Sequence, residues 1–333
     1  PILLQVLYWL SSLLSDPFFL YLLNTSSLSS PLAIICDRLI GLLKYVWLTR
    51  VFLAPYTCDD VITYICFHYT MDGVECEDDV WQSISPEDFY KKLTDGADVH
   101  TSQVAVGEYL EYFSKILESG KDLIHVCLSS GISGSYNSAN SAALIARERY
   151  PERKLFIIDS LAASSGYGMF MDKLADMRDS GMGIDELNDW ALTNRLKLHH
   201  WFFSTDLTFY IKGGRVSKAA GIFGGILGIC PLLNMNFEGR LIPRAKIRGK
   251  KKVISEIVER MVKHAENGSA YNGKVYMCNS ACYEDAKAVA DIVEEKFPNI
   301  NGKVEIYDIG TTIGCHTGPG TVALFFWGDE RVD

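Results

Sequence analysis

Apolar and polar positions fall in blocks along the chain, and the blocks predict strands alternating with helices. The clearest spans 122–139. Residues 123–128 form a short apolar run the size of a buried strand. Ser129, Ser130, Gly131, Ser133, Gly134 and Ser135 follow at once, and 139–149 then reads as a helix. Strand, small polar turn and helix make the first half of a βαβ unit, with the turn at the carboxyl end of the strand, where open α/β sheets bind ligands. A tight turn capped by a serine is the plainer reading of the same residues. Upstream, Phe67–Tyr69 and Met71–Val74 read as strand, turn and strand. Ser85-Pro-Glu-Asp88 opens a helix with Phe89 and Leu93 on one face. Thr101-Ser102-Gln103 reads as a polar loop before a helix over 108–119, which Gly120 ends. Downstream, 154–158 is a second buried strand closed by Asp159-Ser160, and the next helix carries Met169, Leu174 and Met177. This alternation implies a parallel sheet.

The second half begins after about Gly181. Its pattern predicts a helix over 184–196, a strand from Trp201, a hairpin turn over 236–239 and a helix over 253–264. Strand 274–279, helix 284–296, strand 303–308 and the apolar run 321–327 complete it. The run 221–233 is apolar and glycine-rich but too short to span a membrane. The basic run 244–252 reads as a solvated face. The chain thus divides into an atypical apolar segment, 1–65, a first α/β domain, 66–181, and a second, 182–333. Within 1–65, Asp16-Pro17 and the charges at Asp37, Arg38, Lys44 and Arg50 break every run long enough for a transmembrane helix. Three readings of the segment stand: a membrane-associated extension, a real first strand and helix, or sequence read in a wrong frame or wrongly joined.

Charge and cysteines narrow the function class. A net charge of −9 without a basic tail argues against a nucleic-acid binder. Nine scattered cysteines, with no CxxC, argue against zinc and thioredoxin-like sites and fit a reducing cytoplasm. No HExxH, GxSxG or paired-carboxylate spacing occurs. Gly213-Gly214-Arg215 is neither a phosphate-loop nor a dinucleotide fingerprint, but the planar fork of Arg215 suits a carboxylate or phosphate. His316 stands among glycines that allow close backbone approach. Together these features support an anionic small-ligand site in an α/β protein.

Six motifs occur in order: Thr101-Ser-Gln103, Ser129-Ser-Gly-Ile-Ser-Gly-Ser-Tyr136, Asp159-Ser160, Lys212-Gly-Gly-Arg-Val-Ser217, Lys246-Ile-Arg-Gly-Lys-Lys251 and His316-Thr-Gly-Pro-Gly320. In this order they resemble the DegV family of fatty-acid-binding proteins, over 66–333. The resemblance implies a two-domain α/β fold, with a parallel Rossmann-like sheet in the first domain and a mixed second domain. It implies one long-chain fatty acid held between the domains and no other cofactor or metal. Thr101, Ser102 and Ser133 would hold the carboxylate, with Ser130, Gly134 and His316 beside it. Arg215 and Arg248 would lie near the head group or on a face meeting a partner. Some family members present the acyl group to a separate fatty-acid kinase subunit, so the resemblance implies a non-enzymatic, cytoplasmic carrier. The family's first strand, with its Asp-Ser turn and Leu-Pro, has no match in 1–65. The rival reading is a serine-dependent hydrolase or transferase acting on an acyl substrate through Ser133 and His316.

Overall fold

The computed structural model describes residues 62–217 and 228–332, all within the unit Arg50–Asp333. The three readings of the first segment, and residues 221–227 of the glycine-rich run, lie outside the described residues. Strands β1 (His68–Met71), β2 (Val74–Glu77) and β3 (Val99–Ser102) form an antiparallel sheet in the order β2-β1-β3. Asp72 and Gly73, both at positive φ, close the β1–β2 hairpin. Helix α1 (Pro86–Thr94) lies between β2 and β3, with the Ser85 hydroxyl accepting the Asp88 N–H as its cap. Helix α2 (Val106–Glu118) follows β3.

Strands β4 (Leu123–Cys127) and β5 (Leu155–Asp159) pair in parallel, joined by helix α3 (Ser135–Arg149). They carry the parallel order expected of the first half. Helix α3 is rich in alanine where it is buried, at Ala139, Ala142, Ala143 and Ala146, so Tyr109, Phe113 and Leu117 of α2 pack closely on it. Helices α4 (Ser164–Asp179) and α5 (Ile184–Asn194) come next.

A six-stranded sheet dominates the second half. Its strands are β6 (Leu198–Ser204), β7 (Ile229–Met235), β8 (Leu241–Arg248), β9 (Tyr276–Asn279), β10 (Glu305–Asp308) and β11 (Thr321–Trp327), in the order β10-β9-β11-β6-β7-β8. Only the β9–β10 pair is parallel. Strand β6 is buried along its whole length, with His199, His200 and Ser204 as covered as its apolar residues, so no alternation of buried and exposed positions marks it. One face of the sheet is covered by α7 (Lys250–His264) and α8 (Tyr283–Lys296), through Ile257, Val258, Met261, Val289 and Val293; a short α6 (Thr208–Lys212) follows β6. The other face packs on α4 and on residues of the first half. Among the described residues no helix is long and apolar enough to cross a membrane.

Two sequence expectations need correction, and one helix was not foreseen. Thr101 and Ser102 end strand β3 rather than standing in a loop, because β1 offers them backbone partners at Tyr69 and His68. The first part of the basic run is strand β8, whose Arg244 donates to Asn234 Oδ1 at 2.7 Å instead of standing free in solvent. Residues 311–317 form helix α9 (Thr311–Thr317), which glycine and threonine content concealed.

Candidate functional site

Helix α9, the end of β3 and the loop after β4 converge on the sheet face built by β6, β7, β8 and β11. They line a partly open cavity with about 800 Å³ of empty space, the open solvent at its mouth included. Its apolar wall includes Phe202, Met235, Leu241, Ile309, Ala323 and Phe325. Its polar groups gather where α9 meets β3. There Thr101 Oγ1 lies 2.7 Å from His316 Nε2, and Ser102, Ser133 and Arg215 line the same cavity. The hydroxyls of Thr312 and Thr317, also in the wall, are buried without a protein partner.

His316 is neutral in this setting. Burial, and then the charge of Arg215, hold its pKa down at about 4. Its Nδ1 is buried without a partner, pressed against the Cα of Gly213, where a Cβ would stand 2.2 Å away. The imidazole proton is therefore assigned to Nε2, which donates to Thr101 Oγ1. That leaves the threonine hydroxyl hydrogen free to donate to an anion. Ser133 differs: its hydroxyl donates to Ser135 Oγ at 3.0 Å and accepts the Ser135 N–H at 3.2 Å, at the start of α3. Arg215 is steered rather than paired. Its Nε donates to Ile132 O at 3.2 Å and its Nη1 to Gly213 O at 2.6 Å. It also borders an outer depression with Ser217 and Arg240.

The serine loop is held from three sides. The Asp159 carboxylate accepts the N–H of Ser130 and of Leu161, each at 3.1 Å. The Ser129 hydroxyl donates to Gly239 O at 2.8 Å. Gly131 sits so close to the β7–β8 turn that a Cβ would lie 2.6 Å from the carbonyls of Glu238 and Gly239. Gly134 admits the Gln103 side chain, whose Nε2 donates to Ser138 Oγ at 2.9 Å and ties the end of β3 to α3.

Of the residues singled out in the sequence, the structure brings Thr101, Ser102, Ser133, Arg215 and His316 to one cavity. Ser130 and Gly134 support the loop without lining it, and Arg248 is exposed at the end of β8, away from the lining. Sequence reasoning missed Thr312 and Thr317. It also missed His200, which donates from Nδ1 to Leu198 O at 3.1 Å and accepts the Ala163 N–H on Nε2 at 3.2 Å. Burial keeps His200 neutral, well below the usual histidine range. The rival catalytic reading finds no support in this geometry. His316 pairs with Thr101 instead of Ser133, and among the described residues no carboxylate orients it.

Fold and site together define an α/β protein with a partly open, mostly apolar cavity that carries hydroxyls, a neutral imidazole and a guanidinium at one end. Residues 57–329 match the family model described as "Uncharacterised protein, DegV family", and the chain belongs to that family. A DegV domain-containing protein of Clostridium perfringens is 34% identical over 270 residues, covering 81% of this chain and 91% of that protein. A Streptococcus pneumoniae structure, the Fatty Acid Kinase (Fak) B3 protein loaded with linoleic acid, matches with a TM-score of 0.74 at 23% identity, over 84% of this chain and 96% of that one. A DegV family protein of Eubacterium eligens loaded with heptadecanoic acid matches with a TM-score of 0.73 at 20% identity, over 85% and 98%. A DegV lipid binding protein of Thermotoga maritima is 25% identical with a TM-score of 0.65, over 80% and 91%.

Proposed function

We propose that this chain binds one long-chain fatty acid in the cavity and acts as a carrier, without chemistry of its own. The observation that carries this reading is the polarity of the cavity wall, with aliphatic and aromatic side chains along the sheet and donors collected at α9 and β3. An acyl chain suits the first part, since each buried CH₂ contributes roughly 0.8 kcal/mol. A carboxylate suits the second, held by Thr101, Ser102 and Ser133 with His316 and Arg215 beside it. The fatty acids bound to the Eubacterium eligens and Streptococcus pneumoniae proteins support the same assignment.

The finer step is presentation to a separate fatty-acid kinase subunit. Arg215 borders both the cavity and the outer depression, so it stands between a bound head group and a docked partner. Arg248 lies outside the cavity on an exposed strand end and would serve the partner alone. In a reconstituted kinase assay, Arg248→Ala slows acyl-phosphate formation and leaves fatty-acid affinity unchanged; equal loss of both would place it in the lipid site.

Ala323 provides the direct test of the cavity. It lies on β11 in the apolar wall and is buried. Ala323→Leu shortens the longest acid the protein accepts in a competition titration against a fluorescent fatty acid. An unchanged chain-length profile, with the fold intact by circular dichroism, would mean that the acyl chain lies elsewhere.

A further inference from the structure

Across the sheet from the cavity, three potential ligands meet. Neighbouring side chains on a strand point to opposite faces, so while His200 lines the cavity, His199 faces α7. His264 is the last residue of α7, and Asp329 follows β11. His199 Nε2 lies 2.9 Å, and His264 Nδ1 3.1 Å, from the same oxygen, Asp329 Oδ1. One ligand atom from each residue falls within 4.8 Å of the other two. The imidazole centroids are 5.0 Å apart with planes 24° from parallel.

We infer that His199 Nε2, His264 Nδ1 and the Asp329 carboxylate form a binding site for a zinc-type divalent cation, which clamps the segment after β11 to the six-stranded sheet and the end of α7. Two imidazoles and one carboxylate are a borderline donor set, suited to zinc, nickel or cobalt and unsuited to calcium or magnesium. Tetrahedral zinc, with bonds of about 2.0–2.1 Å, holds its ligand atoms about 3.3 Å apart. The present separations from Asp329 Oδ1 are a few tenths of an ångström shorter, and His199 Nε2 also lies 2.9 Å from the Asp329 carbonyl oxygen, a contact the cation would displace.

The backbones that carry the ligands are tied together, so little order has to be created on binding. Ala265 and Gly328 form an antiparallel bridge. The Asp329 N–H donates to His264 O at 3.0 Å, and the Gly328 N–H donates to Lys197 O at 2.8 Å. Gly328 is needed there, because a Cβ would lie 2.1 Å from His264 O. Phe326 and Trp201 wall the imidazoles, while the nearby Arg260 is neutralised by Glu256 at 2.6 Å. Asp329 is 59% exposed, so water completes the coordination. His199 Nδ1 has no acceptor. Lack of such an outer partner typically lowers metal affinity about 10- to 100-fold, which points to a cation that exchanges rather than one that is locked in.

The test is a calorimetric titration of the reduced full chain with zinc chloride, repeated on His264→Gln and Asp329→Asn. Both positions reach solvent, and neither side chain touches the cavity. Trp201, stacked on His264 with centroids 5.9 Å apart, supplies a local readout, because nickel bound at the site quenches it. The expected result is one zinc per chain, binding weakened at least tenfold in each variant, a thermal midpoint raised by zinc in the wild type alone, and fatty-acid titrations unchanged throughout. Wild-type protein that takes up no zinc would overturn the inference. So would zinc binding of equal strength in both variants, which would assign the ion to cysteines elsewhere.

Discussion

A hydroxyl contributes to anion binding only if its hydrogen is free, and this separates two residues that look alike in the sequence. Thr101 accepts from His316 and keeps its hydrogen; Ser133 already donates to Ser135. A hydrogen bond to a charged group contributes about 1.5–3 kcal/mol. Thr101→Val should therefore weaken fatty-acid affinity by roughly 10- to 150-fold, and Ser133→Ala by less, in a fluorescent fatty-acid titration. Equal affinity of Thr101→Val and wild type would move the carboxylate away from β3. Gly213→Ala should act in the same direction at a distance, since its Cβ would displace His316 from Thr101. The serines, Thr101, Arg215 and His316 were legible because small or charged residues cluster in short motifs around them. Thr312, Thr317 and His200 were not, because nothing local distinguishes them from capping or core residues. The His199, His264 and Asp329 cluster was hidden for another reason: its members are 65 residues apart in sequence at each step and meet only through sheet pairing and the Ala265–Gly328 bridge.

Elements position the site through backbone contacts more than through side chains. The serine loop docks on the β7–β8 turn with Gly131 against two carbonyls, so Gly131→Ala must shift one of them. The expected cost is about 1–3 kcal/mol of stability, typical of forced close packing, with weaker fatty-acid binding beside it. Chemical denaturation and the same titration read both, and a stable variant with full affinity would refute this account of the loop. Periodicity predicted most strands and helices to within a few residues, because buried runs and apolar stripes carry the signal locally. It failed at Thr101-Ser102, where pairing with β1 decides the conformation, and at α9, where Gly314 and three threonines mask a helix stabilised by its setting: Asp78 accepts the Thr312 N–H at its start, and Gly314 lets Phe89 and Tyr90 approach. The start of α3 was placed four residues late, since Ser135 to Ser138 read as turn residues while in the protein they begin the helix.

At the scale of the whole molecule, burial of neutral histidines makes stability depend on pH. Burial holds His125 and His199 at a pKa of about 4, as it does His316. Unfolding returns each to about 6.5, so below that pH the unfolded chain binds more protons. The stabilisation is complete above pH 6.5 and is lost as pH falls towards 4, by an amount on the order of a few kcal/mol per histidine. Urea midpoints should fall as the pH drops from about 6.5 to 4.5, and His125→Leu should flatten the slope; a flat wild-type profile would mean that these rings are hydrated. The central claim, however, concerns the cavity, and it is tested most directly by native mass spectrometry of the purified protein. The account predicts one added mass per chain, matching a single long-chain fatty acid and released on denaturation, or regained after incubation of delipidated protein with such acids. A protein that stays empty across chain lengths, or that takes up several acids without a fixed ratio, would contradict it.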